Sequence, residues 1–412
     1  MPARPSRDVA LLFATRSLRL FAYGFLAVVL VLYLSEAGLS EGRIGLLLTL
    51  TLLGDTALSL WITTHADRIG RRKMLFLGAG MMVFAGVLFA STTSFWLLLL
   101  AATIGIISPA GNEVGPFLAI EQAALSQAVP GDRRTHVFSW YALAGSFATA
   151  FGSLAGGLLS QGLQARGATA LSANRAVVLG YAVLGAALLL LFTRVGPAVE
   201  PPPRERKERR PSFLELGLGL HGSRKVVFRL SSLFALDAFA GGFVVQSFVA
   251  FWFHARFGAD EATLGAIFFG ANVLAGVSAL SAGWLARRFG LVNTMVFTHL
   301  PSNVLLVLVP LMPTLPIAVA VLLLRFSISQ MDVPTRQSYT MAVVAPDERS
   351  AAAGVTGIAR TIGSSIAPLA AGPLFAVPAL ASVPFFLAGG LKILYDLLLW
   401  RGFRKVKPEE ER

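Results

Sequence analysis

Residues 46–90 read LLLTLTLLGDTALSLWITTHADRIGRRKMLFLGAGMMVFAGVLFA, two apolar runs joined by a short loop that carries four bases. An apolar run of about 20 residues is long enough to cross a lipid bilayer as an α-helix. Lys and Arg concentrated between two such helices are typical of the cytoplasmic side of a membrane. This stretch therefore predicts two membrane-spanning helices that turn on the cytoplasmic side.

The same pattern recurs along the whole chain, which contains twelve such apolar runs. They lie at 14–35, 43–65, 74–92, 95–129, 136–161, 174–193, 228–256, 262–284, 292–312, 315–344, 351–377 and 382–400, and are numbered run 1 to run 12. The first run lacks a cleavage site and is flanked by arginines, so we expect it to be retained. The predicted fold class is an all-α membrane protein with twelve transmembrane helices.

The composition of the 412 residues excludes several classes of protein. Hydrophobic residues make up 55% and charged residues 14%, with a mean hydropathy of +0.69, whereas disordered chains are polar and highly charged. The chain has no cysteine, which excludes a disulfide scaffold and a thiolate metal site. We therefore expect no nucleic-acid partner, no metal and no cofactor, and a lipid bilayer as the surroundings.

The basic residues indicate the topology rather than a nucleic-acid partner. The net charge is +13, from 35 Lys and Arg against 22 Asp and Glu. With the N-terminus inside, 27 of the 35 bases fall on the cytoplasmic side and 4 outside. A bias of this kind sets the orientation of membrane helices. We predict an integral protein of the plasma (inner) membrane with both termini cytoplasmic.

A polar, basic linker divides the runs six and six, and the halves resemble each other. Pro130-Gly131-Asp132-Arg133 recurs as Pro346-Asp347-Glu348-Arg349, 216 residues later. Parallel repeats of this kind occur in transporters. The predicted organisation is an N-terminal six-helix bundle at 1–193, a cytoplasmic linker at 194–228, a C-terminal six-helix bundle at 229–401 and a tail at 402–412, the two bundles being pseudo-symmetric.

The loop after run 2 resembles a signature of the major facilitator superfamily, roughly G-x-L-A-D-R-x-G-R-R/K. Here Asp67-Arg68-Ile69-Gly70-Arg71-Arg72 matches, while Thr63 and His65 replace the leading Gly and Leu. The second copy, at 283–290, keeps that Gly and Leu but has Arg287 in place of the acid. The resemblance implies the major facilitator fold and transport by alternating access. It also implies that Asp67, Arg68, Gly70 and Arg71 take part in gating.

Run 5 contains Gly152, Gly156 and Gly157, in a segment similar to the G-P-x-x-G-G pattern of antiporters in the superfamily but without its proline. The resemblance favours antiport. Small residues at this spacing also let helix backbones approach closely, so plain helix packing explains them almost as well. The Arg-Gln pair that the family places on the fourth helix is absent.

The chain carries no pattern typical of catalysis. It has no G-x-x-x-x-G-K-S/T phosphate loop, no G-x-S-x-G nucleophile turn and no H-E-x-x-H pair. The five histidines are scattered near the ends of runs, where interfacial packing is the expected role. We predict a protein that is not an enzyme, and nothing in the sequence implies an oligomer.

Charges inside the apolar runs are the candidate functional residues, since each would be costly in a bilayer unless it faced a partner or a cavity. Most fall on runs 1, 4, 7 and 10, the helices that line the central cavity in the superfamily. The candidates for proton coupling are Glu113, Glu121 and Asp237. The candidates for substrate binding are Arg325, Asp332, Arg336, Tyr339, Gln246, Arg19 and Tyr23. The alternative is pairing for stability alone, and for Arg16 and Arg19 an interfacial position.

Run 10 concentrates polar residues on one predicted face. At 100° per residue, five side chains fall within about 80° of one another. They are Arg325, Ser329, Asp332, Arg336 and Tyr339. Guanidinium groups bind carboxylate or phosphate well, so this face favours an anionic or zwitterionic substrate.

Two predictions concern individual acids. Asp55 in run 2 is expected to pair with Arg360 in run 11 as a gate, the alternative being a partner for each in its own half. Glu113 is expected to take up a proton more readily than Asp332. Asp332 has Arg336 four residues away, whereas Glu113 has no base within two turns of run 4.

The function we expect is secondary active transport of a small organic solute, most simply its export in exchange for protons. The first alternative is proton-coupled uptake of an organic anion. The second is a substrate-sensing or lipid-handling protein on a transporter scaffold. The expected partners are the solute and protons, and the expected state is a monomer.

Overall fold

The computed structural model describes residues 7–113, 115–129, 134–200, 220, 222–345 and 348–406, apart from the side chains of residues 67, 68, 128, 134–136, 198 and 350. Regular structure within these ranges is helical, with no strand. Nine helical segments of this part are long and apolar enough to cross a membrane, with α9 and α10 counted together.

Runs 1 to 6 form eight helices. They are α1 (Arg7–Ala27), α2 (Leu30–Glu36), α3 (Glu41–Ile69), α4 (Arg71–Ser91), α5 (Phe95–Ile104), α6 (Phe117–Ala128), α7 (Arg134–Gln164) and α8 (Ala170–Thr193). Runs 7 to 12 form eight more. They are α9 (Arg224–Gly242), α10 (Gln246–Phe257), α11 (Glu261–Phe289), α12 (Leu291–Leu308), α13 (Leu315–Phe326), α14 (Asp332–Ala342), α15 (Arg349–Ala376) and α16 (Val383–Phe403).

Runs 1, 4, 7 and 10, each counted as one transmembrane helix in the sequence, are each broken into two helical segments. Run 4 stops being helical between Ile104 and Phe117, where Gly111 and Gly115 have φ of +67° and +81°. Only glycine adopts such angles readily, and proline interrupts a helix because it has no N–H group. In run 10, α14 starts two residues before Pro334, and proline is tolerated in the first turn of a helix.

Two hydroxyl groups and one backbone amide donate hydrogen bonds to carbonyl groups that the break in run 4 exposes. The hydroxyl of Tyr181 donates to the carbonyl of Ile106 at 2.5 Å, and Ser108 Oγ donates to that of Asn112 at 2.7 Å. The amide of Ser247 donates to the carbonyl of Pro109 at 3.1 Å. Irregular backbone within a membrane needs such partners, because lipid offers none.

The helices pack as two units. The first unit comprises Met1–Arg204 and Val245–Val273, and the second comprises Glu205–Val244 and Leu274–Arg412. The break between α9 and α10 coincides with the unit boundary, so that α10 and the first part of α11 pack with α1–α8. The boundaries expected at 193 and 229 remain a prediction.

Glycines bring α7 into backbone contact with α1 and α11 in the first unit. A Cβ atom on Gly152 would lie 2.0 Å from the carbonyl oxygen of Phe21, and one on Gly156 2.2 Å from that of Phe25. A Cβ atom on Gly157 would lie 2.1 Å from the carbonyl oxygen of Glu261 in α11. Any larger residue at these positions must therefore push two helix backbones apart.

Glu200, just beyond α8, caps the first turn of α4. Its Oε2 accepts the backbone N–H of Arg71 at 2.8 Å, and its Oε1 accepts that of Arg72 at 3.2 Å. A carboxylate satisfies the free N–H groups of a helix N-terminus and is favoured there by the helix dipole. Gly70, with φ of +117°, joins α3 to this turn.

Two further contacts hold the segment 195–200 to the first unit. The guanidinium of Arg71 donates to the carbonyl of Val199 at 3.2 Å and to Gln127 at 3.0 Å. Asp8 in the first turn of α1 accepts the N–H of Gly196 at 2.9 Å. The beginning of the predicted linker is thus tied to α1, α4 and α6.

Glu348 makes a comparable contact in the second unit. Its two carboxylate oxygens accept the N–H groups of Gly222 and Ser223, each at 2.8 Å, immediately before α9. Ser223 Oγ in turn accepts the N–H of Ala345 at 3.1 Å. The segment that enters α9 is therefore held beside the start of α15.

The close approach of α1 and α7 can be tested with two substitutions in one helix. Gly152→Ala places its Cβ against a carbonyl oxygen, so we expect the melting temperature of the purified protein to fall by about 5 °C or more. Gly162→Ala is the matched control, since no atom lies within 4 Å of its Cβ position. Equal melting temperatures for the two variants would contradict this packing.

The cap on α4 can be tested separately. Glu200→Ala removes both acceptors, and the loss of a helix cap costs about 1–2 kcal/mol, so the melting temperature should fall. Glu200→Gln keeps one acceptor oxygen and should fall less. Glu41→Ala, in the first turn of α3, serves as control. A fall for Glu41→Ala as large as that for Glu200→Ala would argue against a specific cap.

Candidate functional site

Arg19 is the centre of a buried ion network in the first unit. Its side chain is 0% exposed and donates from Nη1 and Nη2 to the two carboxylate oxygens of Glu121, at 2.9 and 2.7 Å. Its Nε donates to Glu113 at 2.9 Å. A guanidinium that meets a carboxylate with two parallel hydrogen bonds is among the stronger polar contacts in proteins. The network joins α1, α6 and the break in run 4.

Three neighbours complete this network. Thr15 and Tyr141 donate hydroxyl hydrogen bonds to Glu121, at 3.0 and 2.5 Å. Arg16 Nη1 lies 3.1 Å from Glu113, and the Arg16 guanidinium lies over the Tyr141 ring, 4.4 Å from its centre. Glu121 is 0% exposed, whereas the side chain of Glu113 is 15% exposed. Glu121 is therefore enclosed, and Glu113 forms the more open edge.

Two sequence expectations fail in this network. Glu113 was expected to lie among apolar residues without a base, but both arginines of α1 contact it. The expectation counted bases on the same helix, while the partners come from a different one. An interfacial position for Arg19 is also wrong, because the side chain is fully enclosed. The role of Glu113 in proton coupling remains a prediction.

Asp237 on α9 is the centre of the network in the second unit. Its carboxylate lies 2.5 Å from Lys392 Nζ, 3.2 Å from Arg336 Nη1 and 3.7 Å from Arg360 Nη1. Arg336 also contacts Asp332, one turn away on α14, at 3.0 Å. The structure therefore brings the predicted residues Asp237, Asp332, Arg336 and Arg360 together.

This network continues through residues that the sequence reasoning missed. His299 Nδ1 on α12 lies 2.8 Å from Asp396 Oδ1 on α16, and its Nε2 lies 3.8 Å from Asp237. Asn303 donates to the other oxygen of Asp396 at 2.9 Å. Interfacial packing is thus wrong for His299, which is buried. The available signal was two polar pairs four residues apart, His299 with Asn303 and Lys392 with Asp396, inside apolar runs.

The continuous helix assumed for the polar face of run 10 is interrupted between Phe326 and Asp332. Arg325 lies at the end of α13 with its guanidinium 4.9 Å from the centre of the Phe326 ring. Arg325 Nε has no hydrogen-bond partner in the described part of the chain. Tyr339 on α14 donates to the carbonyl of Val406 at 3.0 Å and packs against Phe403.

Two other substrate candidates lie in the first unit. Gln246, at the start of α10, donates to Ser153 on α7 and accepts from Asn272 on α11, each at 3.2 Å. Tyr23 on α1 is fully buried. Both candidates therefore belong to a different packing unit from Asp237, Asp332 and Arg336.

The predicted gating residues are described only in part. The side chains of Asp67 and Arg68 lie outside the described residues, while Arg71 binds the segment 195–200. Asp55 is 6% exposed, and its Oδ1 has no hydrogen-bond partner among the residues that are described. Arg360 contacts Asp237 in its own unit. The pairing of Asp55 with Arg360 remains a prediction.

Comparison with known proteins identifies the family. The model of the family described as Major Facilitator Superfamily matches residues 12–368. An uncharacterized membrane protein of Saccharomyces cerevisiae is 29% identical over 419 residues, which cover 96% of this chain and 93% of the yeast protein.

Solved transporters share the fold at low sequence identity. A bacterial homolog of the human lysosomal transporter Spinster, in an inward-facing and unoccupied conformation, has a TM-score of 0.69 at 17% identity, covering 97% of this chain and 95% of its own. The nucleoside transporter NupG has a TM-score of 0.73 at 13% identity, covering 97% and 99%. A D-xylose-proton symporter has a TM-score of 0.70 at 16% identity, covering 97% and 98%.

These likenesses agree with the prediction of a twelve-helix major facilitator fold and confirm it. The prediction that the protein is not an enzyme is confirmed as well. The chain belongs to the major facilitator superfamily and is an integral membrane transporter of small solutes that works by alternating access.

Proposed function

We propose that the protein exports a small organic solute in exchange for protons, across a plasma (inner) membrane. The observation that carries this proposal is that each packing unit holds carboxyl groups within ion-pair distance of cations inside its apolar helices. Such charges are costly in a bilayer unless they are paired, and in transporters they mark substrate and ion pathways. A change in protonation or the arrival of a charged solute would rearrange these pairs.

The two carboxylates of the first unit suit different tasks. Glu121 is enclosed and receives hydrogen bonds from Arg19, Thr15 and Tyr141, so it anchors Arg19. Glu113 is partly exposed and meets Arg19 and Arg16 at the open edge. A solute with a charged group can compete there, so we propose Glu113 as the exchangeable counter-ion of the site.

Proton-coupled uptake of an organic anion is the second candidate, and unpartnered guanidinium atoms favour it. Arg360 has a side chain that is 34% exposed, and its Nη1 makes no hydrogen bond to a described residue. The same holds for Nε of Arg16 and of Arg325. Guanidinium N–H groups that have no hydrogen-bond partner can bind a carboxylate or a phosphate.

The direction of proton movement separates the two candidates. The full-length protein would be reconstituted in vesicles that contain a pH-sensitive dye, and a panel of organic cations, anions and neutral compounds would be added outside. In antiport, protons leave as the solute enters, so we expect the lumen to become more alkaline. Acidification would indicate symport instead. Solute binding without any proton movement would contradict both and leave a sensing or lipid-handling role.

A variant in the same assay tests the role of Glu113. Glu113→Gln removes the charge that faces Arg16 and Arg19, so both pH-driven flux and solute exchange should fall about tenfold, as for a lost interaction of about 1.4 kcal/mol. Glu41→Gln, in the first turn of α3, is the control. Full exchange activity in Glu113→Gln would rule out the proposed counter-ion.

The predicted orientation can be tested because the chain has no cysteine of its own. Arg206→Cys lies in the predicted cytoplasmic linker, and Arg166→Cys lies between α7 and α8 on the predicted outer side. An impermeant maleimide added to intact cells should label the cysteine at 166 and not the one at 206. Labelling at 206 from outside would overturn the topology.

A further inference from the structure

Asp55 differs from the five acids of the two ion networks in its lack of a cation. Arg, Lys or His side chains lie within ion-pair distance of each of those five acids. They are Glu113, Glu121, Asp237, Asp332 and Asp396. No such contact is found for Asp55 within the described ranges, and its Oδ1 makes no hydrogen bond. Its exposure is only 6%.

The charges on α3 itself are too far away to serve as partners. Arg43 precedes Asp55 by 12 residues and His65 follows it by 10. At 1.5 Å per residue these intervals are about 18 Å and about 15 Å along the helix. The hydroxyl of Ser59 and the amide of Gly115 interact with the carboxyl.

The helices packed on α3 supply no cation near Asp55 either. α5 carries no charged residue, and the bases of α4 are confined to its first turn. α2 and α6 contribute only acids, Glu36 and Glu121. The titratable side chains that face Asp55 are Glu113, Tyr23 and Tyr181. These neighbours are an acid and two phenols, and the arginines that contact Glu113 form no ion pair with Asp55 within the described ranges.

The backbone next to Asp55 holds it in this position. A Cβ atom on Gly54 would lie 2.1 Å from the carbonyl oxygen of Thr103, so α3 touches α5 just before the break in run 4. Asp55 thus lies beside the irregular segment that also carries Glu113. Interrupted helices of this kind form the ion and substrate sites of transporters.

An isolated carboxylate in such surroundings is most stable in its neutral form, because burial without a counter-ion penalises the charge far more than the neutral acid. We propose that Asp55 binds the coupling proton and is protonated in the conformation described above. The step is the binding of one proton to one carboxylate oxygen. The proton leaves when water or a cation reaches the carboxyl, and Arg360 is the cation predicted from the sequence. The inference rests on the proposed proton coupling and adds the residue that performs it.

A hydrophobic carbodiimide tests this assignment without any solute, since it modifies carboxyl groups that are protonated and surrounded by apolar residues. The purified full-length protein would be treated over a range of pH, and the modified peptides measured by mass spectrometry. We expect modification at Asp55, falling about tenfold per pH unit above its midpoint. Glu113 and Glu121, which face guanidinium groups, should react far less.

Two variants keep this test interpretable. Asp55→Asn should lose the modification and, as a neutral isostere of the protonated acid, should keep the melting temperature of the wild type. Asp55→Glu should restore a reactive acid at the same position. Absence of modification at Asp55 at every pH, or greater modification at Glu113, would overturn the assignment.

The vesicle assay separates this inference from the proposed function. If the wild type moves protons with a solute, Asp55→Asn should lose pH-driven flux while losing much less of the exchange of labelled for unlabelled solute. Equal pH-driven flux in Asp55→Asn and the wild type would refute the role of Asp55 and leave the proposed antiport intact. A wild type that moves no protons would refute the antiport, whatever the carbodiimide result.

Discussion

The free energy of a bare charge inside a bilayer is the constraint on which both packing units depend. Each intramembrane cation of the two networks lies against at least one carboxylate, and the pairs join helices that are distant in sequence. Arg19 connects α1 to α6 through Glu121, and Arg336 connects α14 to α9 through Asp237. Removing one partner would leave the other charge buried and unpaired, which is strongly destabilising, so each pair constrains the helices that it joins.

The helix breaks follow from the same requirement. A continuous run 4 would place Glu113 on a regular helix, whereas the irregular segment lets its carboxylate reach both arginines of α1. The freed backbone groups are taken up by Tyr181, Ser108 and Ser247. The break between α9 and α10 also lets α10 pack with the first unit, where Gln246 contacts Ser153. The helix breaks thus allow both the ion pairs of Glu113 and the packing of α10.

Much of the fold could be predicted from the sequence, because the length of apolar runs and the position of basic loops depend only on local composition. The twelve runs, the resemblance around Asp67 to Arg72 and the choice of charged residues all came from such local signals. The partners of those charges could not be predicted in this way. Arg19 and Glu113 are 94 residues apart, and Asp396 meets His299 from another helix. The polar face predicted for run 10 assumed one continuous helix, although Pro334 indicated that a new helix could begin there.

The contrast between Asp55 and the paired acids explains why the proposed solute counter-ion and the proposed proton carrier are different residues. A carboxylate held by a guanidinium keeps its charge and can orient a solute, but it exchanges protons poorly because its ionised form is stabilised. A proton carrier must be stable in the neutral form in one conformation and gain a partner in another. Glu113 and Asp237 each contact a guanidinium group, whereas Asp55 contacts no cation among the described residues. A transporter that changes its protonation during each cycle therefore needs a buried acid without a permanent cation, which is the role proposed for Asp55.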